Sequence, residues 1–356
     1  MVIPDPHRKA LPEVSVVILN WNGRHFLEEY LPSVLNTTYP NLRIIIADNA
    51  STDGSVEFLQ QQFPEVEIIV NATNEGFAGG YNTALKQIRT DYYVLLNSDV
   101  EVTKNWISPV IEVMEQDKNI VACQPKIRML ARRSHFEYAG ASGGYIDAYG
   151  YPFCRGRLFS ELEEDEGQYN TVEEVFWTSG ACMFIRPNIF HRFGGFDEDF
   201  FAHMEEIDLC WRMKNAGHSL KVVPQSVVYH VGGGSLPKDN PRKTFLNFRN
   251  SLIMLQKNLP LKAAFSKIFT RMVLDGVAAM EALAKGKSGF FFAILRAHLS
   301  FYFYQPKWIS KRKEIKKRLD FHHVKGVYRG SIVKAFFVNG KKKFSDLNPE
   351  LFSSEQ

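Results

Sequence analysis

Several devices that would identify the chemistry at once are missing from this chain. No G-x-G-x-x-G follows the first apolar run, and "AKGKS" near residue 286 lacks the upstream glycine of a phosphate loop. Those two absences argue against a dinucleotide-binding dehydrogenase and a P-loop nucleotidase. Cysteine is scarce: Cys123, Cys154, Cys182 and Cys210 stand far apart, with no C-x-x-C pair to hold zinc and no dense disulfide framework. They read as small buried hydrophobes. The N-terminal "MVIPDPHRKALPEVSVVILNWN" has no basic start leading into a long apolar run, so a cytosolic location is expected. The longest apolar piece, Gly289 to Tyr304, is short and carries Arg296 and His298, which argues against a membrane span.

What is present is enough for a full core: 356 residues, 45% of them hydrophobic and 23% charged. That length predicts one large domain with an appendage. The formal charge of +4 is unevenly placed. Residues 160–174, "SELEEDEGQYNTVEE", are acidic, whereas "KWISKRKEIKKRL" from Lys307 and the later "NGKKK" are basic. A basic tail suits an anionic surface, or is merely a solvated helix face.

Over the first hundred residues, β-branched runs alternate with stretches of helical spacing. "VSVVILN", "LRIIIADNAS", "VEIIVNA" and "DYYVLLNSD" read as strands, and "GRHFLEEYLPSVLNT", "SVEFLQQQF" and "GGYNTALKQIR" as helices. This alternation predicts an α/β fold with a parallel sheet flanked by helices, whose ligands sit at the carboxyl ends of the strands. Those ends are polar: Asn20 and Asn22, then Asp48, Asn49, Ser51 and Asp53, then Asn71 and Asn74, then Asn97 and Asp99. Each alone is ordinary turn or cap chemistry; four together predict one crevice. Asp99 at a strand end repels phosphate unless a divalent cation lies between, which points to Mg2+ or Mn2+ on oxygen ligands.

The segments "VSVVILNWNG", "IIIADNASTDGS", "NEGFAGGYNTAL" and "YVLLNSDVEV", in this order and spacing, resemble the nucleotide-sugar half of the inverting family-two glycosyltransferases with the GT-A fold. The resemblance covers roughly residues 13–260. It implies a Rossmann-like, mostly parallel sheet flanked by helices. By the same resemblance, Asp48 reads the nucleobase, Asn20, Asn22 and Asp53 line the nucleoside pocket, and Asp99 is the last position of the metal-binding Asp-x-Asp motif. Ser51 and Asn74 join the donor site from the strand ends, and Gly76 from the "GFAGG" loop. Asn97 replaces the first acid of the motif, keeping an oxygen but losing a charge. Asparagine there is similar to the bacterial rhamnosyltransferase-like branch, which implies rhamnose from a deoxythymidine diphosphate donor.

In the second half, inversion requires a carboxylate to take the acceptor proton and positive charge on the departing diphosphate. The family places its base in a Glu-Asp pair at the start of a helix. This chain has Glu205, Glu206 and Asp208 there, with Glu206 at the usual aspartate position and Glu205 or Asp208 as alternatives. An acidic first helical turn is also favoured by the macrodipole alone. The resemblance implies that His230, after "SVVY", completes the metal shell; packing is the other reading. Lys243 and Arg249 are candidates for the diphosphate, or ordinary helix-surface charges. Trp177, Phe184, Phe200 and Trp211 read as core in preference to a sugar platform.

These readings divide the chain into a glycosyltransferase domain, 11–260, and a basic, aromatic helical region, 261–356, expected to lie on the inner face of the cytoplasmic membrane, with packing on the catalytic domain or on a second subunit as the other reading. The expected reaction moves a sugar from a nucleotide diphosphate donor to a saccharide or lipid-linked acceptor in cell-surface polysaccharide synthesis, with no nucleic-acid partner. A sugar nucleotidyltransferase is the alternative enzyme. It needs a glycine-rich basic loop after the first strand, and "LNWNGRH" supplies one glycine. A non-catalytic nucleotide-sugar sensor is the third reading.

Overall fold

The computed structural model describes residues 11–232, 240–315 and 324–353. The chain opens with β1 (Val14–Asn20), α1 (Arg24–Leu35), β2 (Leu42–Asp48), α2 (Ser55–Gln62), β3 (Glu67–Val70), α3 (Gly76–Leu85) and β4 (Tyr92–Asn97). Strand β1 is buried on both faces, as a central strand must be when helices cover both sides of its sheet. Its parallel register against β2 sets Asn20 beside Asp48, and against β4 sets Leu19 beside Asn97. The polar strand ends are therefore level with one another, which is what makes them a single crevice.

Next come β5 (Val100–Val102), α4 (Ser108–Gln116) and β6 (Ile120–Met129). A small second sheet is built from β7 (Gly144–Asp147), β8 (Pro152–Cys154), β9 (Arg157–Leu158) and β10 (Glu161–Leu162). The chain re-enters the main sheet through β11 (Glu173–Glu174) and β12 (Cys182–Ile185), then forms α5 (Pro187–Arg192), α6 (Glu205–Asn215) and β13 (Ser219–His230). Among the described residues the main sheet runs β11-β13-β6-β12-β4-β1-β2-β3, with β12 antiparallel between β4 and β6. Strand β13 slips register between Val223 and Val227, around Pro224, which has no N–H to give a ladder. Beyond the bulge its end pairs with β5, His230 opposite Val100.

The C-terminal helices are α7 (Pro241–Asn258), α8 (Leu261–Ala284), α9 (Ser288–Phe303) and α10 (Gln305–Glu314). The last strand, β14 (Val327–Tyr328), returns to pair with β7. Val327, Ile332, Phe336 and Leu347 share one core cluster with residues of the N-terminal half, so the tail after residue 324 is packed core as well as appendage. No described helix is long and apolar enough to cross a membrane.

Two sequence expectations resolve physically here. The four cysteines are buried and unpaired, and Trp177, Phe184, Phe200 and Trp211 are buried core residues. Within the acidic run at 160–174, whose Glu161, Glu164, Glu166 and Glu173 are exposed, two residues turn inward as counter-ions. Asp165 meets the buried Lys126 at 2.8 Å and also binds Arg128, and Glu174 pairs with Lys214. A buried ammonium is tolerated only when such a partner is supplied.

Candidate active site

The loops after β1 and β2 are welded together by their own polar side chains. Asn20 Nδ2 donates to Asp48 Oδ2 at 2.9 Å and to Ser51 Oγ at 3.2 Å, while Ser51 N–H donates to Asp48 Oδ1 at 2.8 Å. Asn22 takes the Thr52 N–H at 2.7 Å, and Asp53 takes the Arg24 N–H at 2.9 Å. Asp53 is partly buried, which pushes its carboxyl up, but hydrogen bonds from Ser55 and Arg24 outweigh this and hold it below the usual carboxylate range. Asn74 Oδ1 accepts from Asn49 and from the Gly76 N–H. Much of the expected nucleoside pocket thus fixes its own walls, and Asp48, 1% exposed, is fully enclosed by them. Gly76 has φ +72°, and an added Cβ would lie 2.6 Å from the Phe201 ring, so glycine is required where the loops meet.

An aromatic that sequence reasoning passed over stands at this edge. Trp21, between Asn20 and Asn22, is 53% exposed, an unusual position for the largest apolar side chain and a ready stacking face. Its signal was already present within "LNWNG".

The second corner is formed by β5 and the end of β13. His230 Nε2 lies 3.1 Å from Asp99 Oδ1, and His230 Nδ1 lies 3.1 Å from Glu137 Oε2. All three are buried. Burial pulls the imidazole's pKa down, but Asp99 and Glu137 together overcome it and push it up to about 10. Glu137 is held below the usual carboxylate range, because His230 and nearby backbone N–H groups outweigh its burial. Glu137 comes from the segment leading into the second sheet, and no motif around "HFEYAG" announces it. An added Cβ at Gly232 would come within 2.5 Å of Glu137 Oε1, so the chain just past His230 must be bare.

Of the three acidic candidates on α6, Asp208 stands apart from the two glutamates. Asp208 has no exposure and is saturated: it accepts from Arg212 Nε at 2.9 Å, Lys257 Nζ at 2.9 Å and Asn258 Nδ2 at 2.8 Å. It ties α6 to α7. Glu205 and Glu206 each bury an Oε2 that no described donor reaches. Burial, with the neighbouring Glu206 charge, raises the Glu205 carboxyl well above its ordinary range; burial also pushes Glu206 up to about 7. Glu206 lies over Gly180, whose added Cβ would sit 3.8 Å from Glu206 Cβ and 3.3 Å from the Phe77 ring. Since the Asn97 N–H donates to Ala181 O at 3.0 Å, Glu206 stands beside the end of β4. Arg249 is engaged with the loop before α6: its Nη2 donates to Asp199 O at 2.8 Å and to Asn250 Oδ1 at 2.8 Å.

Asp99 could hold a divalent cation that also takes phosphate oxygens; His230 could join it only by giving up the Nε2 proton it shares with Asp99, since an imidazole ligates in its neutral form. Among the described residues no three His, Cys, Asp or Glu side chains gather to hold a metal unaided. Two protein ligands with substrate phosphates completing the shell is the usual magnesium arrangement.

A parallel half-sheet with level polar ends, a carboxylate just past β4 and two glutamates at the start of α6 whose Oε2 atoms are unpartnered among the described residues fit a glycosyltransferase of GT-A type. The chain belongs to glycosyl transferase family 2, whose profile matches residues 15–192, half of its length. It is 25% identical over 256 residues to the N-acetylglucosaminyl-diphospho-decaprenol L-rhamnosyltransferase of Mycobacterium tuberculosis, covering 68% of this chain and 83% of that one. It is 23% identical over 255 residues to the low-salt glycan biosynthesis hexosyltransferase Agl10 of Haloferax volcanii, covering 68% and 75%. Its fold is similar to the crystal structure of GalNAc-T7 with UDP, GalNAc and Mn2+, at a TM-score of 0.55 and 17% identity, over 70% of this chain and 48% of that one.

Proposed function

We propose that this enzyme transfers a sugar, with inversion, from a nucleotide diphosphate donor to a saccharide or lipid-linked acceptor in cell-surface polysaccharide synthesis. Its acceptor side lies at an anionic membrane surface. The observation that carries the reading is the contrast between Asp208, whose carboxylate takes three side-chain donors, and Glu206, whose Oε2 is buried beside the end of β4 with no described hydrogen-bond partner. Glu206 takes the acceptor hydroxyl's proton as that oxygen bonds to the anomeric carbon and the bond to the diphosphate breaks. Asp99, with His230 once its imidazole is neutral, would hold a magnesium or manganese ion, which would supply positive charge to the departing diphosphate. Glu137 orients His230 through Nδ1, the role an outer carboxylate takes behind a metal-bound histidine. Trp21 stacks on the base, and the Asn20, Asn22, Asp48, Ser51, Asp53 and Asn74 network keeps that pocket in shape.

The M. tuberculosis relative, named for L-rhamnose transfer to a diphospho-decaprenol acceptor, supports a rhamnose donor and a lipid-linked acceptor. The C-terminal helices support the membrane surface. Leu261, Phe265, Phe269, Val273, Val277 and Met280 recur every three or four residues on α8 and are all exposed, whereas Ala264, Arg271, Asp275 and Ala279 of the same helix are buried. Phe292, Leu295, Leu299 and Phe303 of α9 are exposed as well. An apolar stripe of this size on a helix unable to span fits one lying in the interface. The basic tail contributes less than its composition implies, since Lys307 binds Asp199 and Lys311 binds Asp197; residues 316–319 of that tail lie outside the described residues.

Release of nucleoside diphosphate, measured across a panel of sugar donors with manganese and a polyprenyl-diphosphate saccharide, tests the reading. Acceptor-dependent release from one donor is expected. Pyrophosphate formation from a nucleoside triphosphate would instead establish a nucleotidyltransferase, and binding without turnover a sensor.

A further inference from the structure

Asn250, on α7, has no exposed surface. Its Nδ2 lies 3.0 Å from Phe200 O, 3.0 Å from Ala202 O and 2.7 Å from His203 O, and its Oδ1 accepts from Arg249 Nε at 3.0 Å and Nη2 at 2.8 Å. The three carbonyls belong to the loop leading into α6. In that loop Phe201, His203 and Met204 have φ of 62°, 70° and 75°, and none is glycine. Each such residue costs about 1 kcal/mol or more, so the loop keeps this shape only because its surroundings hold it. The same loop reaches the donor side, where Phe201 O accepts the Phe77 N–H at 2.8 Å at the start of α3.

We infer that Asn250, steadied by Arg249, is the positioning residue for the catalytic base. Met204 immediately precedes α6, so its left-handed backbone sets the direction in which Glu205 and Glu206 leave the loop. One amide group gathers three carbonyls onto one point, which no carboxylate can do, because its oxygens accept and do not donate. Glu206 is thus aimed from α7, through main-chain atoms and without any contact between Asn250 and substrate. This rests on the reading of Glu206 as base.

The test compares wild type, Asn250→Asp and Arg249→Lys. Donor binding is measured by calorimetry with manganese, transfer by nucleoside diphosphate release, and backbone amide exchange by mass spectrometry. Asn250→Asp is expected to lose at least tenfold in kcat, to keep donor Kd within about twofold, to speed exchange at residues 200–206 and to shift the pH inflection of kcat/KM. Arg249→Lys is expected to change in the same direction but less, at unchanged Kd. It also keeps the test informative if Asn250→Asp fails to fold. Normal kcat and pH profile in a folded variant would overturn the inference, as would a rise in donor Kd for Arg249→Lys, which would return Arg249 to the diphosphate. A wild type that turns over no donor would instead count against the base assignment itself.

Discussion

Glu206 is a carboxylate placed where ionising is difficult, and this sets its chemistry. An unperturbed glutamate, with a pKa of about 4.3, is fully charged at neutral pH; burial raises Glu206 to about 7. For a raised carboxyl, the charged form is penalised in the folded state. Stability is therefore highest below about pH 4.3 as far as this group is concerned, and declines as pH rises toward about 7. Activity has the opposite sign, because the base must be ionised: kcat/KM is expected to rise with pH and level off above about 7. A profile already flat from pH 5.5 would remove Glu206 from the role. Glu206→Gln is expected to lower kcat by on the order of 10²-fold or more at near-wild-type donor affinity. At the other corner, Asp99→Ala is expected to abolish manganese-dependent nucleotide binding. Glu137→Gln should weaken it by roughly 10- to 100-fold, the usual cost of losing an orienting carboxylate; calorimetry with manganese and nucleoside diphosphate distinguishes the two.

At the scale of elements, α8 and α6 show how one helix serves two surroundings. Helix α6 buries its polar far side only because α7 supplies Lys257 and Asn258 to Asp208. Helix α8 leaves its apolar side bare. Phe265 and Phe269 are 79% and 67% exposed, so replacing both by Ser removes no internal packing. If that face lies in a membrane, each phenylalanine contributes roughly 1.5–3 kcal/mol of apolar burial, and the double variant should partition at least tenfold more weakly onto anionic vesicles with an unchanged melting temperature. Binding that high salt abolishes but the double serine variant retains would assign the docking to the basic residues instead.

For the whole molecule, the important fact is that residues after 324 supply part of the common core. Ile332 N–H donates to the buried Asp147 Oδ2 at 2.9 Å, and the Phe344 ring packs 5.0 Å from that of Tyr145, centroid to centroid. Removing residues 324–353 therefore strips the second sheet of β14 and the core of several large side chains, each worth about 2–5 kcal/mol. A chain ending at residue 323 is expected to melt far below the full-length protein or to accumulate as aggregate, and a thermal scan decides it. For that reason truncation after Pro260 is a poor probe of membrane attachment; the loss of vesicle binding would not be separable from loss of fold.

Sequence alone determined the parallel half of the sheet, because β-branched runs and helical spacing are local properties that survive without neighbours. The same local pattern placed Asn20, Asp48, Asn97 and Asp99 at strand ends, and register then made them level. The sequence also marked the start of α6 with its three carboxylates. It did not say which was available, since that depends on what meets each one: Lys257 and Asn258, nearly fifty residues on, bond to Asp208, whereas Glu206 keeps a buried Oε2 without a described partner. The second sheet, with strands of two to four residues, has no periodicity to read. Glu137 reaches His230 only because that segment folds over the end of β13, and Arg249 meets Asp199 O only because α7 packs on the loop before α6. Those contacts are decided by long-range packing, in which partners far apart in the chain compete for one buried position.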